Sequence, residues 1–313
     1  MSHTLPIFPS YYAHNILSLS VYRPVHLSHH TMTRNCIVFQ LCRSIFLLLA
    51  VSASVTAESH SRTETLSLAK RVARPNKKSN PIVPQGGSDG STSLKFAVTS
   101  GILLAFNSGF VNGCCLSGGV SPDGTKQAVA AVTGAWTTSA VSLASGNSGQ
   151  FKMQLNMILS YILGSAVSGF TNPRPSTFQI SPTYGPLFFL GSALLTGASH
   201  MAKNAEKFPA NSYFYMAAIA NGMQNSLTST HTANLCRTAH FSGISSDIGT
   251  FLGQVIRGNY QNLTKLKVFC SLGLAFFLGG YVSFYATDKF ASSSLLFSAF
   301  LYFIIGSITL LMK

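Results

Sequence analysis

Charge is scarce in this sequence. Asp, Glu, Lys and Arg make up 9% of its 313 residues, with 7 acids in all, against about 25% charged in an ordinary globular chain. A soluble all-α protein of this length needs charged faces to cover its helices, so that class is excluded. The 6 cysteines (Cys36, Cys42, Cys114, Cys115, Cys236 and Cys270) form no CxxC pair. This excludes zinc-ribbon and thioredoxin-type motifs and leaves them as small apolar residues. GxSxG, Walker, GxGxxG and HExxH motifs are absent, so the chain is read as a non-enzyme with no cofactor. Zinc-finger spacing, an RNP-like box and an Arg-rich aromatic patch are absent too. The net charge of +14 is therefore not a nucleic-acid signature.

Hydrophobic residues are plentiful, at 47% with 23 Phe. From Leu94 to Met312 they gather in runs close to the ~20 residues that a helix needs to cross a bilayer. The reading is an all-α polytopic membrane protein in contact with the lipid bilayer. Eight helices are expected near 94–118, 126–145, 153–170, 184–203, 211–228, 241–257, 265–287 and 291–312. The second and sixth are short and rich in Ser, Thr and Gly. If they are broken or re-entrant, six full spans remain, so the range is six to eight.

The segment before Leu94 reads as processing rather than fold. Residues 1–31 have no periodicity and are read as an upstream extension, with Met32 as the start. Residues 32–57 have a basic n-region, an apolar h-region through Leu47-Leu48-Leu49 and the small-residue site Val55-Thr56-Ala57, the pattern of a signal peptide or a retained signal anchor. Residues 58–93 are polar and basic, a disordered linker or transit segment. The membrane domain is 94–313.

Two halves, 94–203 and 204–313, are related by a 109-residue offset. Asn112-Gly113 matches Asn221-Gly222, Ser117 matches Ser226, Thr133-Gly134 matches Ser242-Gly243, and Thr137 matches Ser246. Four spans per half make a parallel repeat, and three make an inverted one. With eight spans, the distribution of Lys and Arg puts both termini on the cytoplasm-like side. A cleaved secretory signal instead puts the new N-terminus outside. A two-step route into a plastid-like organelle membrane reconciles the two, with a secretory-pathway membrane as the other location.

Polar residues inside a bilayer are costly and are functional or interhelical. Asn221, Gln224, Asn225 and Thr228 share one helical face. Gly243, Asp247, Thr250 and Gln254 share another, and Asp247 is the one acid within the expected spans. It is a candidate proton or cation site, or else a helix cap. A weaker stripe in the first half holds Ser108, Asn112 and Cys115, then Thr133 and Thr137, beside Gly134. His231, Cys236 and His240 share one loop without the carboxylate that would complete a metal set, so no metal is expected.

The blocks Gly109-Phe110-Val111-Asn112-Gly113, Val132-Thr133-Gly134, Gly222-Met223-Gln224-Asn225-Ser226 and Ser242-Gly243-Ile244-Ser245-Ser246-Asp247-Ile248-Gly249 resemble the YoaK family of multi-pass membrane proteins, a domain of unknown function. The resemblance covers about 95–312 and implies the fold and the membrane setting but no reaction. The family has Asp where this chain has Asn112, and Asn where it has Ala135, which counts against a two-carboxylate proton mechanism. The expected function is a secondary transporter or permease of a small solute, coupled to a proton or cation, in a chain that forms a homo-oligomer. Its site would draw on Asn112, Thr133, Gly134, Asn221, Gln224, Asn225, Thr228, Gly243, Asp247 and Thr250. The alternative is a non-transporting scaffold or assembly factor.

Overall fold

The computed structural model describes residues 89–312. The readings at 1–31, at 32–57 and over most of 58–93 lie outside the described residues. Among the described residues the chain is all-helical, with α1 Asp89–Ser117, α2 Val132–Ala144, α3 Ser148–Thr171, α4 Tyr184–Lys203, α5 Ser212–His231, α6 Phe241–Ile256, α7 Leu263–Phe290 and α8 Leu295–Leu311. Two stretches are both long and apolar enough to cross a membrane: Leu94–Ser117, of mean hydropathy 1.4, and Leu263–Leu311, of mean hydropathy 2.1, which contains α7, a 3-10 turn and α8.

Two expectations need correction. α1 begins at Asp89, so the end of the expected linker is helical. The second helix starts at Val132 rather than at 126. The apolar stretch before it stays out of the helix because other groups take its amides: Gln127 N–H donates to the Cys115 carbonyl, and Val129 and Ala130 N–H donate to Asn112 Oδ1. At 13 and 16 residues, α2 and α6 are too short for a full span. Both end alike. Gly146 N–H bonds to Leu143 O and Asn147 N–H to Ser142 O, while Gly258 N–H bonds to Val255 O and Asn259 N–H to Gln254 O. The two glycines have φ of +73 and +82, a left-handed conformation that closes a helix and costs residues with a Cβ more.

The helix directions follow from residue pairs. α1 and α7 run the same way, with Gly109 against Phe276, Gly113 against Gly280 and Gly119 against Thr287. α5 runs opposite to α1, because Leu104 meets Gln224, Ser108 meets Asn221 and Ser121 meets Tyr213. α4 and α8 are antiparallel, with Gly185 against Leu310 and Gly191 against Tyr302. α3 follows α5: their C-terminal ends sit together through Tyr184, which neighbours both Asn172 and His231.

Two crossings bring backbones into contact. A Cβ added at Gly109 would strike the Phe276 carbonyl, and one at Gly279 the Phe106 carbonyl. A Cβ at Gly222 would strike the Tyr161 carbonyl, and one at Gly164 the Ile219 carbonyl. In all four helices the glycine lies three residues after the carbonyl that its partner approaches. Small residues at such crossings let helices pack closely where water does not drive association.

Beside an apolar core, the protein buries several polar side chains and exposes large aromatic ones. Asn107, Ser108, Asn221, Gln224 and Ser298 are buried, whereas Phe170 is 87% exposed, Phe277 67% and Phe300 64%.

Candidate functional site

The centre of the site is Gln224, on the face of α5 turned towards α1 and α8. Its Nε2 donates to the Leu104 carbonyl at 2.7 Å and to Thr238 Oγ1 at 2.9 Å. Its Oε1 accepts from the Tyr302 hydroxyl and from Asn107 Nδ2, the latter at 3.4 Å. Ser298 Oγ donates to Asn107 Oδ1. Thr228 Oγ1 donates back to the Gln224 carbonyl at 2.9 Å and lies 3.3 Å from Thr238 Oγ1. Three helices and the α5–α6 loop are thus joined by one set of bonds, and none of these side chains keeps an unpaired buried polar atom. One turn away, Ser108 Oγ donates to Asn221 Oδ1 at 3.0 Å, and Asn221 Nδ2 donates to the Ala217 carbonyl.

Asn112 and Asn225 share another role. Asn112 Oδ1 accepts from Val129 and Ala130 N–H, at 2.9 and 3.0 Å, just before α2 begins. Asn225 Oδ1 accepts from Ala239 N–H at 3.0 Å, just before α6 begins. Each Asn lies three residues after the glycine of its crossing, Gly109 or Gly222. A side-chain acceptor inside each bundle half therefore holds the returning chain in place, since a buried N–H left unpaired is destabilising. By this geometry Asn112 corresponds to Asn225, whereas the 109-residue offset pairs it with Asn221.

The remaining expected residues lie elsewhere. Thr133 and Gly134 are exposed on α2, and Thr250 on α6. Gly243 is half-buried beneath the His240 ring. Asp247 is half-buried on α6, which packs along α7 and buries Ile244. The α5 stripe is thus brought together and the α6 stripe does not join it. Sequence reasoning missed Asn107, Thr238, Ser298 and Tyr302. Asn107 was detectable as an amide next to Ser108 in the first-half stripe, but the other three carry no periodic signal. Among the described residues no three His, Cys, Asp or Glu side chains gather as metal ligands. An open groove of about 480 Å³ lies between α4 and α8, lined by Phe189, Ser192, Ala193, Thr196 and Phe303, and contains none of the site residues.

At the α1–α2 loop, Asp123 accepts from Ser121 Oγ and from the N–H and hydroxyl of Thr125. These bonds, that from Ser121 foremost, hold its carboxyl at about 2. Loop, α1 end and α5 start are tied further by the Ser121–Tyr213 bond at 2.6 Å.

No curated protein matches the chain, and no solved structure does. A family model described as "Protein of unknown function (DUF1275)" matches residues 100–308, two thirds of the sequence, and the chain belongs to that family.

Proposed function

We propose that this is a multi-pass membrane protein with six full spans, α1, α3, α4, α5, α7 and α8, and two re-entrant half-helices, α2 and α6, and that it works as a secondary transporter or permease of a small solute. The carrying observation is the opposed pair of returning segments. α1 and α5 run antiparallel, and each is followed by a chain that folds back along it, is held by an Asn three residues after a crossing glycine, and then opens a short helix. Inverted repeats with interrupted helices facing a central site are the arrangement of many secondary transporters. The exposed Phe residues of α3, α7 and α8 support a lipid setting. The YoaK-like blocks agree with the family match. The refined repeat pairs Gly109-x-x-Asn112 with Gly222-x-x-Asn225 and is inverted, with three spans per half.

In this reading the solute binds between α1, α5 and the first turns of α2 and α6. Gln224 and Asn221 supply hydrogen bonds, and Asp247 carries the coupling proton or cation. The basic tail keeps both termini on the cytoplasm-like side. Six spans put Lys203 and Lys207 on the face opposite the termini, whereas eight put them on the same face. Protease accessibility of a tag inserted at 209–210, compared with a C-terminal tag in sealed vesicles, decides this. Protection of one tag with digestion of the other supports six spans, and equal behaviour overturns them. For transport, Gln224→Ala and Asp247→Asn should abolish uptake in vesicles by protein that still elutes as a single folded species; unchanged uptake in both removes these residues from the site. An organelle location is tested by protease treatment of a tag at residue 60 in isolated plastids, where digestion without opening the membrane sinks it.

The second reading, a scaffold, is favoured by the Gln224 network, because each of its buried side-chain nitrogens and oxygens has a partner within the protein and such bonds act as interhelical glue. In that case Gln224→Ala lowers partner recovery and changes no solute's distribution.

A further inference from the structure

Three elements end together at the face that holds the C-terminal end of α5. Asn172 is the C-cap of α3, Tyr184 is the first residue of α4 and His231 is the last of α5. The α3–α4 loop is drawn over the end of α5 by a 2.7 Å bond from Phe178 N–H to the His231 carbonyl, with Phe178 held at φ +60. The Tyr184 and His231 rings meet edge to face with centroids 5.1 Å apart. Tyr184 is 3% exposed and His231 6%. Four buried polar atoms at this point have no hydrogen-bond partner in the protein: Asn172 Nδ2, Tyr184 Oη and both ring nitrogens of His231. The Asn172 amide lies beside the Tyr184 hydroxyl and the Gln179 backbone beside the imidazole, yet neither contact reaches hydrogen-bond geometry.

Buried polar atoms are paired in the large majority of cases, to the protein or to a bound molecule. The three side chains here share one capacity, since an amide N–H, a phenolic O–H and an imidazole N–H all donate. Acids are absent from the flanking sequence: residues 168–187 and 226–240 contain no Asp or Glu, but include Arg174 and Arg237. Donors buried at one point, between flanking segments that carry Arg and no acid, suit an acceptor with negative charge.

We propose that Asn172, Tyr184 and His231 form a binding site for a small oxyanion, either a carboxylate or an inorganic oxyanion. The site stands independently of the transport reading, because it claims binding and not passage. His231 closes α5, where the α3–α4 loop passes over the helix end. Tyr184 is the titratable group facing it from α4, and Arg174 and Arg237 are the charged groups of the two flanking loops. An anion beside the ring favours its charged form, so anion and proton bind together.

The test uses the purified full-length protein in detergent. Sodium acetate and sodium phosphate are each compared with sodium chloride at matched ionic strength, near pH 5.5 and near pH 8, with thermal unfolding as the readout. Acetate or phosphate is expected to raise Tm at the lower pH and to raise it less at the higher. The rise should vanish in Tyr184→Phe and in His231→Gln. A response to acetate alone identifies a carboxylate ligand, and a response to phosphate an inorganic one. A pH-stat titration of the unmodified protein should show about one proton taken up per anion bound, and this arm requires no variant to fold. No rise above chloride, an equal rise in both variants, or binding without proton uptake would each overturn the site.

Discussion

Helix α5 carries two buried polar clusters about two turns apart, and they are built on opposite terms. Around Gln224 the protein answers its own donors and acceptors, from α1, α8 and the α5–α6 loop. Around His231 four buried atoms are left without a hydrogen-bond partner. A satisfied network adds rigidity and fixes which helices meet. An unsatisfied cluster contributes no such order and persists where another molecule completes it. The middle of α5 therefore looks structural in this conformation, and its end looks receptive.

The largest effect should come from breaking the satisfied side. Gln224→Leu keeps the volume but strips partners from the Leu104 carbonyl, Thr238, Asn107 and Tyr302. Each unpaired buried group costs about 1–3 kcal/mol, so stability in detergent should fall by about 3 kcal/mol or more, read by thermal or denaturant unfolding. A loss under about 1 kcal/mol would remove the contrast. Next come Asn112→Ala and Asn225→Ala, each expected to cost about 1–3 kcal/mol by leaving loop amides unpaired. The loss should be larger for Asn112, which holds two amides, than for Asn225, which holds one, and one silent variant would break the correspondence between the returning segments. Tyr302→Phe removes one donor and should cost about 1 kcal/mol.

On the unsatisfied side, Tyr184→Phe deletes a hydroxyl without a partner, so stability without added anion should change by less than about 0.5 kcal/mol or rise. A loss as large as that of Tyr302→Phe would mean that the cluster is already paired. The smallest effect belongs to Asp123. Its folded-state carboxyl lies at about 2, below the ordinary 3.8, so its contribution is complete above the ordinary value and fades as pH falls towards 2. Asp123→Asn should lose that small increment at neutral pH and show no further loss across the acid step, in an unfolding series from about pH 5 to pH 2.

Much of this fold was legible from periodicity. The helix at 184–203 and the start at 241 coincide with expectation, because long apolar runs and turn residues mark them. The misread start at 126 shows where local pattern fails. Ala128-Val129-Ala130-Ala131-Val132 reads as helix, yet Asn112, at least sixteen residues back, captures two of its amides. The α5 stripe was legible because spacing alone puts Asn221, Gln224 and Thr228 on one face. Their partners were not, since pairing Gln224 with Tyr302 or Asn107 with Ser298 depends on which helices pack together. Asp247 stood out because acids are scarce, but scarcity does not say which way α6 turns. The lack of acids around His231 is legible in the sequence, whereas its company with Tyr184 emerges from the fold.

The glycine crossings have a mechanical consequence. Where a carbonyl of one helix sits against the Cα of its neighbour, as at Gly109 with Phe276 and Gly222 with Tyr161, there is no side chain to change rotamer and no slack to slide. α1 with α7, and α3 with α5, behave as two stiff struts. The amide and hydroxyl seam around Gln224 joins one strut to the other, so the seam, and not the crossings, holds the polar contacts that the two have to exchange.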